Sequence, residues 1–398
     1  MRLTPRTELE ARTEKLQKLL QQRDIDAAVI VQNSDLFYFT GTIQKGVLYL
    51  PATGEPLYLV LRDHGRARME SGLRHVEPIS SLKEISDALT RFGLPSPRRI
   101  GIESDVLPVA EAERFTRLLA AETVNVTPLI REVRAIKSDY ELEIMKDCAL
   151  MADRIYEYAK TVIKVGKKDN EVAAELLAFA LKQGHQGLIR MRRFNAELFF
   201  GHIFSGADGA VPAHLDAPLG GLGVTPAVGQ GASYKAIAAG EPVIVDFVAA
   251  FDGYLVDQTR TLSVGPVADV LQQGYADMLK IQARLFEVAR PGVSWSEVYR
   301  QCYGLALELG HAEDFMGAKG AQVRFIGHGI GIEVDEYPFI AEGFDQQVLE
   351  VGMTFAFEPK VVIPGLGAVG VENTWRVTDS GIKRLTFSSE ELWPLPAS

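Results

Sequence analysis

Cysteine is nearly absent: Cys148 and Cys302 are the only two in 398 residues, and they lie far apart. That excludes a disulfide-stapled scaffold and a zinc site built on cysteines. It fits a reducing, cytoplasmic setting. No uninterrupted apolar run approaches the roughly 18 residues that a membrane span needs. The first 22 residues are charged and lack the apolar centre of a secretory leader. Positive charge is also in deficit, with 42 Lys and Arg against 52 Asp and Glu, for a formal net charge of −10. Nonspecific nucleic-acid binding and docking on an anionic membrane both want a basic face, so neither partner is expected. Apolar residues are plentiful at 47%, too many for a disordered chain and enough for a real core. At roughly 100–200 residues per domain, the length suggests two domains.

The first third alternates helix and strand signals. A charged segment over 7–23 carries Leu9, Leu16, Leu19 and Leu20 on one helical face. Short apolar runs at 27–31, 47–50, 57–61 and 98–102 read as strands. Helices interleaved with strands imply an α/β domain. Ser138-Asp139-Tyr140-Glu141 fits a capping box, so a helix is expected from there to about 165, and a second fits 170–183. The boundary is placed near residue 135. This gives an α/β domain over 1–135 and an α+β domain over 136–398. The second domain repeats itself roughly. Two helices precede a hairpin at 242–264 that turns at Asp252-Gly253; two more, at 268–289 and 295–309, precede one at 353–377 that turns at Pro364-Gly365. A helix–helix–hairpin unit used twice suggests pseudo-twofold halves. The Gly-, Ala- and Pro-rich stretch at 215–240 reads either as a surface loop or as a lid over a site.

The chemistry lies in acids where acids are costly. Asp246 sits in the run Val243-Ile244-Val245-Asp246-Phe247-Val248, and Asp257 follows eleven residues later, beyond the turn. A buried carboxylate must be paired, hydrogen-bonded or bound to metal. In a hairpin the two can share one side of the sheet, where they would repel unless a cation lay between them. The second hairpin repeats the anomaly. Glu358 ends one apolar strand and Glu372 is expected inside the next. His328 lies in Gly327-His328-Gly329, where the flanking glycines leave room near the ring. Each residue alone could be structural. Together, one imidazole and four carboxylates suit hard to borderline divalent ions such as Mn, Fe, Co or Zn. Four carboxylates carry −4, which two such ions would neutralise. Two metals about 3.5–4 Å apart can bridge a water and lower its pKa, the machinery of amide and ester hydrolysis.

These motifs resemble the creatinase, Xaa-Pro aminopeptidase and prolidase group of metallopeptidases, family M24, over nearly the whole chain. They include Phe37-Tyr38-Phe39-Thr40-Gly41, Ile136-Lys137-Ser138, Asp257-Gln258-Thr259-Arg260-Thr261, Gly327 to Gly331, Glu358-Pro359, and Glu372 with Val377-Thr378. The resemblance implies a creatinase-like α/β N-terminal domain and a pita-bread catalytic domain. It implies that Asp246 and Asp257 hold one metal, that His328 and Glu358 hold the other, and that Asp257 and Glu372 bridge the two. It gives Glu358 a second role as proton shuttle, and it likens His214 to a histidine that contacts substrate. It also implies a peptide substrate, Xaa-Pro aminopeptidase or prolidase-like activity, and a homodimer. Two departures stand out. A second histidine is usual seven residues after the metal-binding one, and here that position is Asp335. Many prolidase-type members carry Arg two residues before the last Glu, and here it is Gly370. These departures keep a second reading open, a hydrolase or lyase of a small non-peptide substrate. A noncatalytic binding protein ranks last, because relatives of that kind have lost the ligands. His202 reads as a packed histidine or a pocket-lining one, and the run Arg190 to Arg193 as a solvated face or a carboxylate binder.

Overall fold

The structure, a computed structural model, describes residues 2–198 and 200–396. The chain divides into two compact units. One holds the residues up to Arg134 together with Arg192–Asn195; the other holds Ala135–Met191 and the chain from Ala196 onward.

The first unit is a mixed sheet of β1 (Ala27–Ile30), β2 (Gly46–Pro51), β3 (Leu57–Val60), β4 (His75–Pro78), β5 (Arg99–Ile102) and β6 (Glu122–Asn125). Their order is β4-β3-β2-β1-β5-β6. Helices α1 (Arg6–Gln22), α2 (Asn33–Thr40), α3 (His64–Glu70), α4 (Ile85–Arg91), α5 (Val109–Leu119) and α6 (Thr127–Ala135) alternate with the strands. Every residue of β1 and β3 is buried, so both faces are covered and the strands read as continuous apolar runs. One buried charge cluster departs from the sequence reading. Arg192, expected on a solvated face, is buried, and its guanidinium pairs with Asp35 and, at 2.6 Å, with Asp105. Arg134 meets the other oxygen of Asp35 at 2.6 Å.

The second unit opens with α7 (Asp139–Val162) and α8 (Asp169–Lys182). The capping box at Ser138 is present in both directions. β7 (Gly201–Ser205), β8 (Pro242–Phe251), β9 (Tyr254–Val264) and the late β17 (Trp393–Leu395) form one sheet, ordered β17-β9-β8-β7. The β8–β9 hairpin turns at Asp252 and Gly253, both with positive φ, a twist that matches the strands it joins. α9 (Asp269–Val288) and α10 (Trp295–Glu308) follow. The second sheet contains β10 (Phe325–Ile330), β11 (Val334–Ala341), β12 (Thr354–Phe357), β15 (Asn373–Thr378) and β16 (Gly381–Arg384), while β13 (Lys360–Ile363) and β14 (Gly367–Gly370) form a separate ribbon. Leu271, Met278, Ile281 and Leu285 of α9 and Val298 of α10 pack with Phe355, Phe357 and Trp375 in one core.

The expected second hairpin is therefore two stacked ladders: β12 pairs with β15, and β13 pairs with β14. The chain leaves the ladder at 358–359 and again at 371–372. Pro359 has no N–H to give a ladder, which breaks the first strand. Glu372 lies in the facing break and not inside a strand, which corrects the sequence reading.

Candidate metal centre

Asp246 lies opposite Thr259, and Asp257 lies opposite Val248. The two aspartates therefore share one face of the hairpin as a diagonal pair two residues apart, not as direct partners. His202 of β7 faces Asp246 from the other side. His328 sits mid-strand in β10, paired with Ala356 and Phe339. Its flanking glycines serve the backbone and not the ring. A Cβ at Gly327 would come within 2.4 Å of the Ala356 carbonyl, and one at Gly329 within 2.3 Å of Tyr337 backbone. Glu358 and Glu372 approach from the two breaks. All five side chains are buried.

They converge on a cavity of about 70 Å³. Ligand atoms of Asp257, His328 and Glu372 all lie within 4.8 Å of one another. His328 Nε2 is 3.8 Å from Glu358 Oε1 and 3.9 Å from Glu372 Oε1. Asp257 Oδ1 and Glu372 Oε1 are buried without a hydrogen-bond partner. Two orphaned carboxylate oxygens beside an imidazole nitrogen are costly unless a cation takes them, so the residues fit a divalent metal.

Titration follows the same crowding. Burial, with Glu372 and Asp246 as like charges, pushes the Asp257 carboxyl well above the usual carboxylate range. Burial likewise pushes Glu358 up to about 7, against the pull of Lys360 and His328. Burial alone would lower His328, but Asp335, Glu358 and Glu372 more than offset it and raise it. Nδ1 of His328 lies 3.2 Å from the Gly329 carbonyl and 3.8 Å from Asp335 Oδ1, so Asp335 stands beside the ring at the cavity wall.

An outer layer fixes these carboxylates. Thr259 Oγ1 donates to Glu372 Oε2 at 2.7 Å. Arg260 donates to the Glu372 carbonyl at 2.7 Å and to Asn373 Oδ1 at 2.8 Å. Thr374 Oγ1 donates to the Asp257 carbonyl and accepts from its N–H, each at 2.9 Å. Lys137 pairs with Glu336 at 2.9 Å, and Glu336 in turn accepts from the Ile332 and Glu333 amides, setting the loop that precedes Asp335.

The structure thus brings together Asp246, Asp257, His328, Glu358, Glu372 and Asp335. His202 also lines the cavity. His214 does not line it; it is exposed in an irregular segment. Its neighbours 216–219, the start of the Gly-rich stretch, do line it. Sequence reasoning missed Lys360. Its Nζ lies 2.6 Å from Glu358 Oε2 and 3.0 Å from both Asp246 Oδ2 and Glu372 Oε2. A lysine directly after Glu358-Pro359 at the head of an apolar run was the available signal.

The geometry defines a class, a buried carboxylate–histidine cage between two structural repeats. Comparison with known proteins supplies the family. Residues 143–379 match Metallopeptidase family M24, and residues 12–136 match the Creatinase/Prolidase N-terminal domain. The Xaa-Pro dipeptidase of Pyrococcus furiosus is 30% identical over 387 residues, covering 96% of this chain and all of its own length. That of Pyrococcus horikoshii is 31% identical, covering 95% and 98%. Among solved structures, the prolidase of Pyrococcus horikoshii OT3 superposes with a TM-score of 0.80 at 28% identity, covering 96% of this chain and 99% of its own. The Xaa-Pro dipeptidase of Bacillus anthracis gives 0.82 at 28%, covering 97% and 100%. The chain belongs to metallopeptidase family M24. It is a peptidase by class, with a creatinase-like N-terminal domain and a pita-bread catalytic domain.

Proposed function

We propose that the protein is a metal-dependent Xaa-Pro peptidase, prolidase-like or an Xaa-Pro aminopeptidase, that cleaves small proline-containing peptides. The observation that carries this reading is the pair of orphaned oxygens on Asp257 and Glu372 beside His328. The names of the relatives support it. Asp246, Asp257, His328, Glu358 and Glu372 would hold the divalent metal, the expected number being two. When bound, the metal polarises the scissile carbonyl and makes a water nucleophilic at neutral pH. Glu358, whose Oε1 lies on the His328 side, would take a proton from that water and return it to the leaving nitrogen. Asp335 orients the His328 ring from the Nδ1 side. Manganese, a homodimer and a cytoplasmic setting belong to the same reading, and the scarcity of cysteine supports the last.

The test is hydrolysis by metal-free protein, with and without added Mn or Co, of Ala-Pro, Ala-Pro-Ala and Ala-Ala. Metal-dependent cleavage of Ala-Pro alone marks a dipeptidase, and cleavage of the tripeptide before proline marks an aminopeptidase. A protein that binds metal but cleaves neither proline peptide refutes the peptide reading and favours a small non-peptide substrate.

A further inference from the structure

Lys360 is 1% exposed, and its three N–H bonds meet three carboxylates carried by three separate segments: Asp246 of β8, Glu358 of the first break and Glu372 of the second. This is not an incidental surface pair. Nζ takes one oxygen from each acid: Oδ2 of Asp246, Oε2 of Glu358 and Oε2 of Glu372. Oε1 of Glu358 and of Glu372 stays on the side of His328 Nε2. Lys360 itself does not line the cavity, whereas all three of its partners do. The ammonium lies behind the acids, holding one oxygen of each and leaving Glu372 Oε1 without a hydrogen-bond partner.

The sequence makes room for this lysine at one position. Lys360 and Gly370 are direct cross-strand partners in the β13–β14 ribbon. A Cβ at Gly370 would come within 2.6 Å of Lys360 Cγ and 2.7 Å of the Pro359 carbonyl. The Lys360 stem and the Pro359 backbone therefore both require a residue without Cβ at 370, the position that departs from the Arg of prolidase-type members. The cation is delivered from the facing strand.

We propose that Lys360 is a positioning residue for the metal cage, holding Asp246, Glu358 and Glu372 in ligating orientation. The inference rests on the metallopeptidase reading. Without the ammonium, three converging carboxylates repel and turn away, and the cage must be rebuilt each time metal binds.

The test measures Mn and Co affinity by calorimetry, with the Mn spectrum by electron paramagnetic resonance, for wild type, Lys360→Met and Lys360→Gly. Far-UV circular dichroism checks that each is folded. Affinity is expected to fall about tenfold to a hundredfold in both single variants, with a broadened Mn spectrum. Unchanged affinity in Lys360→Met overturns the proposal. So does affinity that rises, which would make Lys360 a competitor of the metal. Wild-type protein that binds no metal would instead sink the metallopeptidase reading on which the proposal rests.

Discussion

Thr259 shows how one hydroxyl can set a metal ligand. Its Oγ1 holds Glu372 Oε2 at 2.7 Å, the same oxygen that Lys360 meets, so the other oxygen is left free beside His328. Arg260 next to it pins the Glu372 backbone from below. The hydroxyl and the ammonium together fix the torsion of that carboxylate. Thr259→Val keeps the shape of the side chain and removes only the donor. Metal affinity should fall about tenfold, as is usual for removing a partner of a ligand, while thermal stability of the metal-free protein changes little. Calorimetric titration with Mn checks this; an unchanged dissociation constant would mean that Lys360 alone orients Glu372.

At the scale of elements, the centre depends on how closely three strands approach. β10 presents His328 between two glycines because β12 and the end of β11 run against its backbone there. Gly329→Ala would drive a methyl to within 2.3 Å of the Tyr337 carbonyl group. The expected cost is about 3 kcal/mol, from overpacking against backbone that cannot rotate away, together with loss of tight metal binding as His328 shifts. Thermal unfolding and metal titration of the same variant test both parts; wild-type values for either would mean the sheet yields more easily than its packing implies. These elements differ in how plainly the sequence announced them. The β8–β9 hairpin was legible because a long β-branched run flanks an Asp-Gly turn and local rules decide it. The β12–β15 region was misread as one hairpin because Pro359 and the facing break divide it between two sheets, and strand pairing between sheets leaves no local pattern. Four carboxylates and one histidine were legible because charge in an apolar run is itself anomalous. Lys360 was not, since a lysine at a strand end is ordinary until the fold brings Asp246, 114 residues away, to its ammonium. The Lys137–Glu336 pair, 199 residues apart in the chain, was hidden for the same reason. His214 was singled out by motif alone, and it is exposed in an irregular segment.

For the whole molecule, a metal bound at this centre would be a pH-dependent clasp between the two repeats of the catalytic unit. Its five candidate ligands come from β8, β9, β10 and the two breaks beside β13 and β15, so a bound ion ties both sheets together. In metal-free protein, burial raises Glu358 to about 7 and raises Asp257 as well. A carboxyl raised above its unfolded value holds a proton that the unfolded chain has already released. Its contribution is therefore fully present at low pH and is lost as pH rises from about 4.5 toward 7. Metal reverses the sign of this dependence, because it binds only the deprotonated carboxylates and must compete with those protons. The gain in stability from metal should accordingly be small at pH 5.5 and grow as pH rises through 7. At a free metal concentration a hundred times the dissociation constant, it should reach about 2.7 kcal/mol. Melting curves with Mn and with chelator, recorded at pH 5.5, 6.5, 7.5 and 8.5, measure that difference directly. A metal-induced shift in Tm that is the same at all four values would show that no buried carboxyl releases a proton on binding. Asp257 and Glu358 would then already be ionised in the metal-free fold, with Lys360 the cation that keeps them so.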